Sequence, residues 1–186
     1  RSPLGVGAAK FHTGGGSGEV DTVYLGCFLR EALMEIGGFD ERFIRAQDWE
    51  LNYRLRQAGG KIFFDPQLHV TYRPRSTVRA LAKQYFEYGR WRRVVSRRHK
   101  GTINYRYLAP PFSLVTALMS IILAVTLNYL FIIPAAIYGI FLILASLLIG
   151  KGIIEKILLP IVLFTMQMSW GLGFLTSPKT LAPSEH

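Results

Sequence analysis

Asp48 and Glu50 stand two residues apart in Ala-Gln-Asp-Trp-Glu-Leu, residues 46–51, where a helix-like run begins. Carboxylates take protons from hydroxyls or hold divalent ions, so this pair is the first place to look for chemistry. Residues i and i+2 of a helix face different ways, so the two acids do not act as one pair. Asp48 falls in register with Leu51, Leu55 and Ala58, at spacings of three, four and three, which places it in line with an apolar stripe. An acid in a first helical turn is otherwise a cap or a partner of the helix dipole. In line with a stripe, and partly buried, such a carboxylate gains basicity. Glu50 is then expected to be support or to be solvated.

The elements around the pair are short. Val20–Phe28 alternates Val23, Leu25 and Cys27 against Tyr24, Gly26 and Phe28, the pattern of a strand with one buried face. Cys27, the single cysteine, is expected there as a buried structural thiol, and alone it offers neither a disulfide nor a metal cluster. Residues 30–38 read as a short helix stopped by Gly37-Gly38, followed by a Phe-Asp-Glu-Arg-Phe turn. Gly59-Gly60 ends the Asp48 helix. Residues 61–65 and 68–73 read as strands around Pro66. The Gly-rich stretch 13–19 has neither a preceding strand nor a following Lys-Ser/Thr, so it reads as a loop and not a phosphate cradle.

Half of the 186 residues are apolar, yet the net charge is +10. The excess is confined to one segment. Between Arg73 and Arg106 there are eleven Lys and Arg against a single acid, Glu87, and elsewhere eleven of each sign balance. Residues 76–100 read as one long helix with Leu81, Tyr85, Tyr88 and Val95 on one stripe and Lys83, Arg90, Arg93 and Arg97 on another. This is the pattern of a helix lying on a membrane surface. Basic surfaces with aromatics also bind nucleic acid, but an apolar region begins within a few residues, so lipid is the expected partner and nucleic acid is not.

That apolar region runs from Leu108 to Gly150 without a charge, and a second charge-free run covers Ile157–Pro178. At 1.5 Å per residue and a core of about 30 Å, these are long enough for three crossings. The expected spans are 112–127, 130–148 and 157–176. The positive-inside rule puts the Arg-rich helix in the cytoplasm, Lys151 and Lys156 back on that side, and the C-terminal end outside. The chain starts at Arg1, so it is expected to be the later part of a longer protein or a processed product.

Gly37-Gly38-Phe39-Asp40-Glu41, then Gln47-Asp48, then Glu50-Leu51 with Arg54-Leu55 and Gly59, resembles the acceptor-binding half of family 2 inverting glycosyltransferases. The downstream Tyr72-Arg73-Pro74 and Leu108-Ala109-Pro110-Pro111 stretches resemble the bacterial enzymes of succinoglycan-type exopolysaccharide synthesis. The resemblance covers most of residues 3–115. It implies an α/β fold, the acceptor-side half of a GT-A domain lacking its nucleotide-binding half, followed by an all-α transmembrane region of about three helices. The implied organisation is residues 1–75 for the GT-A half, 76–107 for the basic interfacial helix and linker, and 108–186 for the membrane region.

The resemblance further implies that Asp48 is the general base, and that Gln84, Arg90 and Trp91 approach the diphosphate or the acceptor sugar. The family's Glu before the Asp is Gln47 here. Its Gln-x-x-Arg-Trp motif has a longer gap, from Gln84 to Arg90-Trp91. Arg90-Trp91 also reads as an interfacial anchor of the helix. No Asp-x-Asp is present, so the divalent cation (Mg or Mn) expected of the intact enzyme has its ligands in the missing half and none in this chain. A nucleotide-sugar donor, a polyprenyl-diphosphate-linked saccharide acceptor and the lipid bilayer are the implied partners. The implied site of action is the cytoplasmic face of the bacterial inner membrane, and the isolated chain is expected to be inactive. The competing reading is a non-catalytic module that docks on anionic lipid through the basic helix. A transporter fits less well, because the spans offer only Asn128, Gln167 and hydroxyls as polar groups.

Overall fold

The computed structural model describes residues 16–23, 25–68, 71 and 75–181. The chain divides into two compact units, residues 1–74 with 183–186 and residues 75–182.

In the first unit, strand β1 (Gly18–Glu19) pairs antiparallel with β2 (Phe63–Phe64), Gly18 opposite Phe64 and Glu19 opposite Phe63. The Val20 amide extends the ladder to the Ile62 carbonyl at 2.9 Å. The strand expected over 20–28 does not form among the described residues. Its alternation is real, but a strand needs a neighbour, and only Val20 finds one. Cys27 is correspondingly exposed and not buried as expected. Most of the strand expected over 68–73, and the Gly-rich loop up to residue 15, lie outside the described residues. The α/β expectation therefore reduces here to a two-stranded sheet with two helices.

Helix α1 (Arg30–Glu35) stops where Gly37 and Gly38 take φ of +78° and +70°, a region that costs an L side chain about 1 kcal/mol or more. Helix α2 (Gln47–Gln57) starts from Ala46, itself at φ +60°, and ends at Gly59 at φ +86°. Phe43, Leu51, Leu55 and Ile62 form the buried apolar centre of this unit.

The second unit is helical. Thr77 caps α3 (Val78–Arg98) by accepting the Ala80 amide proton at 3.2 Å. Then come α4 (Tyr105–Thr126), a short 3-10 turn at Tyr129–Ile132, α5 (Ile133–Ile149) and α6 (Ile153–Leu175). The segments 105–126, 129–149 and 153–175 are each long and apolar enough to cross a membrane. Each begins earlier than the sequence reading placed it, because polar ends such as Tyr105 and Arg106 still join the helix.

Glycines set the closest contacts of this unit. A methyl group on Gly89 of α3 would strike the Trp170 carbonyl of α6, and one on Gly173 would strike the Phe86 carbonyl. One on Gly171 would stand 2.7 Å from the Pro110 carbonyl oxygen of α4. These backbones approach because no side chain intervenes, as in other close-packed membrane helices. Tyr85, Trp91, Val94 and Val95 are buried on α3, whereas Tyr88, expected on that stripe, is 45% exposed. Packing against α6 around Gly89 turns a slightly different face inward.

Candidate functional site

Asp48 is the second residue of α2 and is exposed. The stripe expected to carry it is buried only at Leu51 and Leu55, and Ala58 is exposed as well. The centre around Phe43 covers only the middle of the stripe, at Leu51 and Leu55, and both of its ends, Asp48 and Ala58, reach solvent. The partly buried setting expected for Asp48 is therefore not what forms: its side chain is open to solvent. Its Oδ1 accepts the Trp49 amide proton at 2.8 Å, and Trp49 stacks on Tyr53 at 5.5 Å between ring centres. The carboxylate is thus fixed at a helix N-terminus, beside an aromatic pair.

Glu50 is only 2% exposed. Arg54 Nε donates to both of its oxygens, at 2.8 and 3.0 Å, and Arg54 Nη2 reaches Oε2 at 2.9 Å. The same guanidinium donates to the Ile36 carbonyl at 2.6 Å and the Gly38 carbonyl at 2.7 Å. Glu50 and Arg54 therefore tie α2 to the turn that ends α1. Of the two roles left open for Glu50 from the sequence, support is the one the geometry shows. The Glu-to-Arg spacing of four was the readable signal for it. Asn52 Nδ2 donates to Thr22 Oγ1 at 2.8 Å, a second tie that periodicity alone did not disclose.

In the turn before α2, Arg42 donates from Nε and Nη2 to the two oxygens of Asp40, each at 2.9 Å. These side-chain hydrogen bonds are the main cause that holds the Asp40 carboxyl below its ordinary range, against the opposing effect of burial.

The Asp48-Trp49-Glu50 spacing mimics a metal motif, but Glu50 is turned inward onto Arg54 while Asp48 faces solvent. Among the described residues no three acids, histidines or cysteines cluster in a way that could hold a metal.

The other singled-out residues lie on α3. Gln84 Nε2 donates to Tyr88 Oη at 2.6 Å. Arg90 is paired with Glu87 at 3.1 Å, lies over the Phe86 ring at 5.5 Å, and its carbonyl accepts the Ser177 hydroxyl at 3.0 Å. Trp91 is 5% exposed. A buried indole has no open face for a sugar, so in this unit Trp91 anchors α3.

The sequence reading assigned the basic stripe to lipid headgroups. The structure turns part of it toward protein. Arg93 lies over the Phe174 ring at 5.0 Å, and Arg97 donates to the Ser177 and Pro178 carbonyls at 2.7 and 2.9 Å. These two arginines line a groove of about 430 Å³ whose other walls include Leu108, Pro111, Phe112 and Phe174. Among the described residues neither forms an ion pair. Burial, and then repulsion from Arg93, hold the Arg97 guanidinium below its usual range. A two-guanidinium groove with apolar walls suits an anionic group on an apolar chain. Charge run and apolar run were both visible in the sequence, but their meeting in one groove needed the fold.

Two curated proteins match this chain. One is a succinoglycan biosynthesis protein, ExoA, of Rhizobium meliloti, 27% identical over 181 residues, which is 93% of this chain and 52% of that protein. The other is a dolichyl N-acetyl-alpha-D-glucosaminyl phosphate 3-beta-D-2,3-diacetamido-2,3-dideoxy-beta-D-glucuronosyltransferase of Methanococcus voltae, 34% identical over 136 residues, 73% of this chain and 40% of that one. No family model and no solved structure matches. The chain is thus related to glycosyltransferases of glycan synthesis, the resemblance its motifs suggested. It spans about half the length of the curated relatives it matches.

Proposed function

We propose that this chain is the acceptor-side and membrane-bound part of an inverting glycosyltransferase of exopolysaccharide synthesis. The observation that carries the proposal is Asp48, an exposed carboxylate fixed at the start of α2 by the Glu50–Arg54 tie, in a chain related to glycan-synthesis glycosyltransferases. Asp48 takes the proton from an acceptor hydroxyl as that oxygen attacks the anomeric carbon of a nucleotide-activated sugar. The bond from that carbon to the nucleoside diphosphate breaks, the diphosphate leaves with the bonding pair, and the configuration inverts. The donor-binding residues, and any divalent cation that serves the diphosphate, belong to parts of the protein beyond this chain.

A lipid-linked saccharide, with a polyprenyl diphosphate as carrier, is the acceptor class that suits three apolar helices beside a basic helix. Arg93 and Arg97 are better placed for its anionic head than Arg90, whose charge is met by Glu87. Arg90, Gln84 and Trp91 then hold α3 in place. The enzyme works at the cytoplasmic face of a bacterial inner membrane. The test is transfer of radiolabelled sugar to lipid acceptor by the full-length protein. Asp48→Asn is expected to lower the rate at least about 100-fold. Near-normal transfer by that variant would overturn the assignment of the base.

A further inference from the structure

Three apolar helices in series suggest three crossings, but the packing of the helical unit describes a different path. Helices α5 and α6 form an antiparallel hairpin. Gly150 backs against Lys156 near its closed end, Leu142 and Ala145 pack with Leu163 in its middle, and Tyr138 Oη donates to Gln167 Oε1 at 2.9 Å farther along. By this pairing, Ala135 at the start of α5 stands level with about Trp170 near the end of α6. These residues mark the open end of the hairpin.

Helix α4 meets that same open end twice. Near its start, Tyr107 stacks on Trp170 at 6.2 Å between ring centres, and the Pro110 carbonyl abuts Gly171. Ten residues later, Ser120 Oγ accepts the Ala135 amide proton at 3.2 Å and donates to the Phe131 carbonyl. Ten helical residues span about 15 Å, yet both contacts fall at nearly one level of the hairpin. Helix α4 therefore lies across the open end and not alongside α5 and α6. Successive crossings would separate Pro110 from Gly171 by most of a ~30 Å core.

We propose that α4 is re-entrant, with both ends at one membrane face, and that the chain crosses the bilayer only twice, through α5 and α6. Three further observations agree. Arg97 of the basic helix bonds the Ser177 and Pro178 carbonyls, so the end of α6 returns to the face that carries α3. On this path the ten Lys and Arg of residues 75–106 share a face with Lys179, and Lys151 and Lys156 of the same unit lie opposite. The excess of positive charge stays on one face, as the positive-inside rule requires, although three crossings would add Lys151 and Lys156 to that face in place of Lys179. Phe112, Ile121, Ile122 and Val125 of α4 are exposed in the unit, and α4 carries no charge after Arg106, so the hydrocarbon is what covers these side chains. A helix satisfies its own backbone and can dip into the bilayer without crossing it.

The proposal concerns the path of the chain and stands apart from the chemistry assigned to Asp48. It is tested in the full-length protein with Cys27→Ser, and any cysteine outside this chain also replaced by Ser, as background for single Lys100→Cys, Asn128→Cys, Gly152→Cys and Lys179→Cys variants. Each is labelled with a membrane-impermeant maleimide in intact cells and in inverted vesicles. Positions 100, 128 and 179 are expected to label together from the cytoplasmic side, and position 152 from the opposite side. Labelling of 128 and 179 from the side opposite to 100, with 152 on the side of 100, establishes three crossings and overturns the proposal. Labelling of all four from one side overturns it as well. Should a single-cysteine variant fail to accumulate, Tyr107→Cys combined with Trp170→Cys supplies a second readout. A short bis-maleimide joins these two positions on the re-entrant path, and absence of the cross-link counts against it.

Discussion

The two units hold their helices by opposite means. In the first, a buried Glu50–Arg54 pair clamps α2 to the carbonyls that end α1, and among the described residues four apolar side chains, Phe43, Leu51, Leu55 and Ile62, are buried around it. In the second, α3, α4 and α6 meet where Gly89, Gly171 and Gly173 let backbone touch backbone. A small unit with little core can fix geometry through directed charge-assisted bonds. Helices surrounded by hydrocarbon gain little from apolar contact with one another and rely on close fit. The unit that carries Asp48 is therefore the one whose geometry is set by polar groups, and the unit that meets lipid is set by shape.

This contrast can be broken on either side. Glu50→Ala leaves the Arg54 charge without its buried partner, and loss of such a partner costs about 3–5 kcal/mol. Thermal unfolding of the purified full-length protein in detergent is expected to show it, with the first unit melting earlier and α3–α6 helicity retained. Gly173→Ala should act in the other unit. Its methyl group meets the Phe86 carbonyl, so α3 and α6 must separate, at about 1–3 kcal/mol for overpacking. Faster trypsin cleavage within the Arg-rich α3, with α2 unaffected, is the expected readout. If Gly173→Ala leaves both stability and cleavage unchanged, the backbone contact does not hold α3.

The smallest expected effect sharpens the polar side. The Asp40 carboxyl is held below its ordinary range by Arg42. Its depressed folded value means that its contribution is present above the unfolded value and disappears as pH falls through the folded one. Asp40→Asn should thus lower Tm slightly at neutral pH, and the difference should close below about pH 4. A difference that does not narrow at all as pH falls below about 4 would place the effect of Asp40 elsewhere than in its charge.

Helix ends were the most legible feature in the sequence. Gly37-Gly38 and Gly59-Gly60 stop α1 and α2 as read, because positive φ at Gly37, Gly38 and Gly59 is a local requirement that glycine meets without steric cost. The apolar helices were equally plain from charge-free length. The alternation of Val20–Phe28 misled, since period two announces a face for burial but not the strand that would pair with it. Asp48 illustrates a similar gap: its register with Leu51 and Leu55 was correct, but register alone does not say where the packing partner ends. The path of α4 was hidden for another reason. Hydropathy measures whether a helix can enter a bilayer, and only contacts such as Pro110 with Gly171 tell where it returns.

The most direct measurement compares Asp48→Asn and Glu50→Ala in the full-length protein, with sugar transfer and thermal stability read on the same preparations. A base at Asp48 and a clamp at Glu50 predict that Asp48→Asn loses transfer at least about 100-fold while keeping wild-type Tm, and that Glu50→Ala lowers both together. Full transfer by Asp48→Asn, or loss of transfer only in step with loss of stability, would contradict the placing of the chemistry on Asp48.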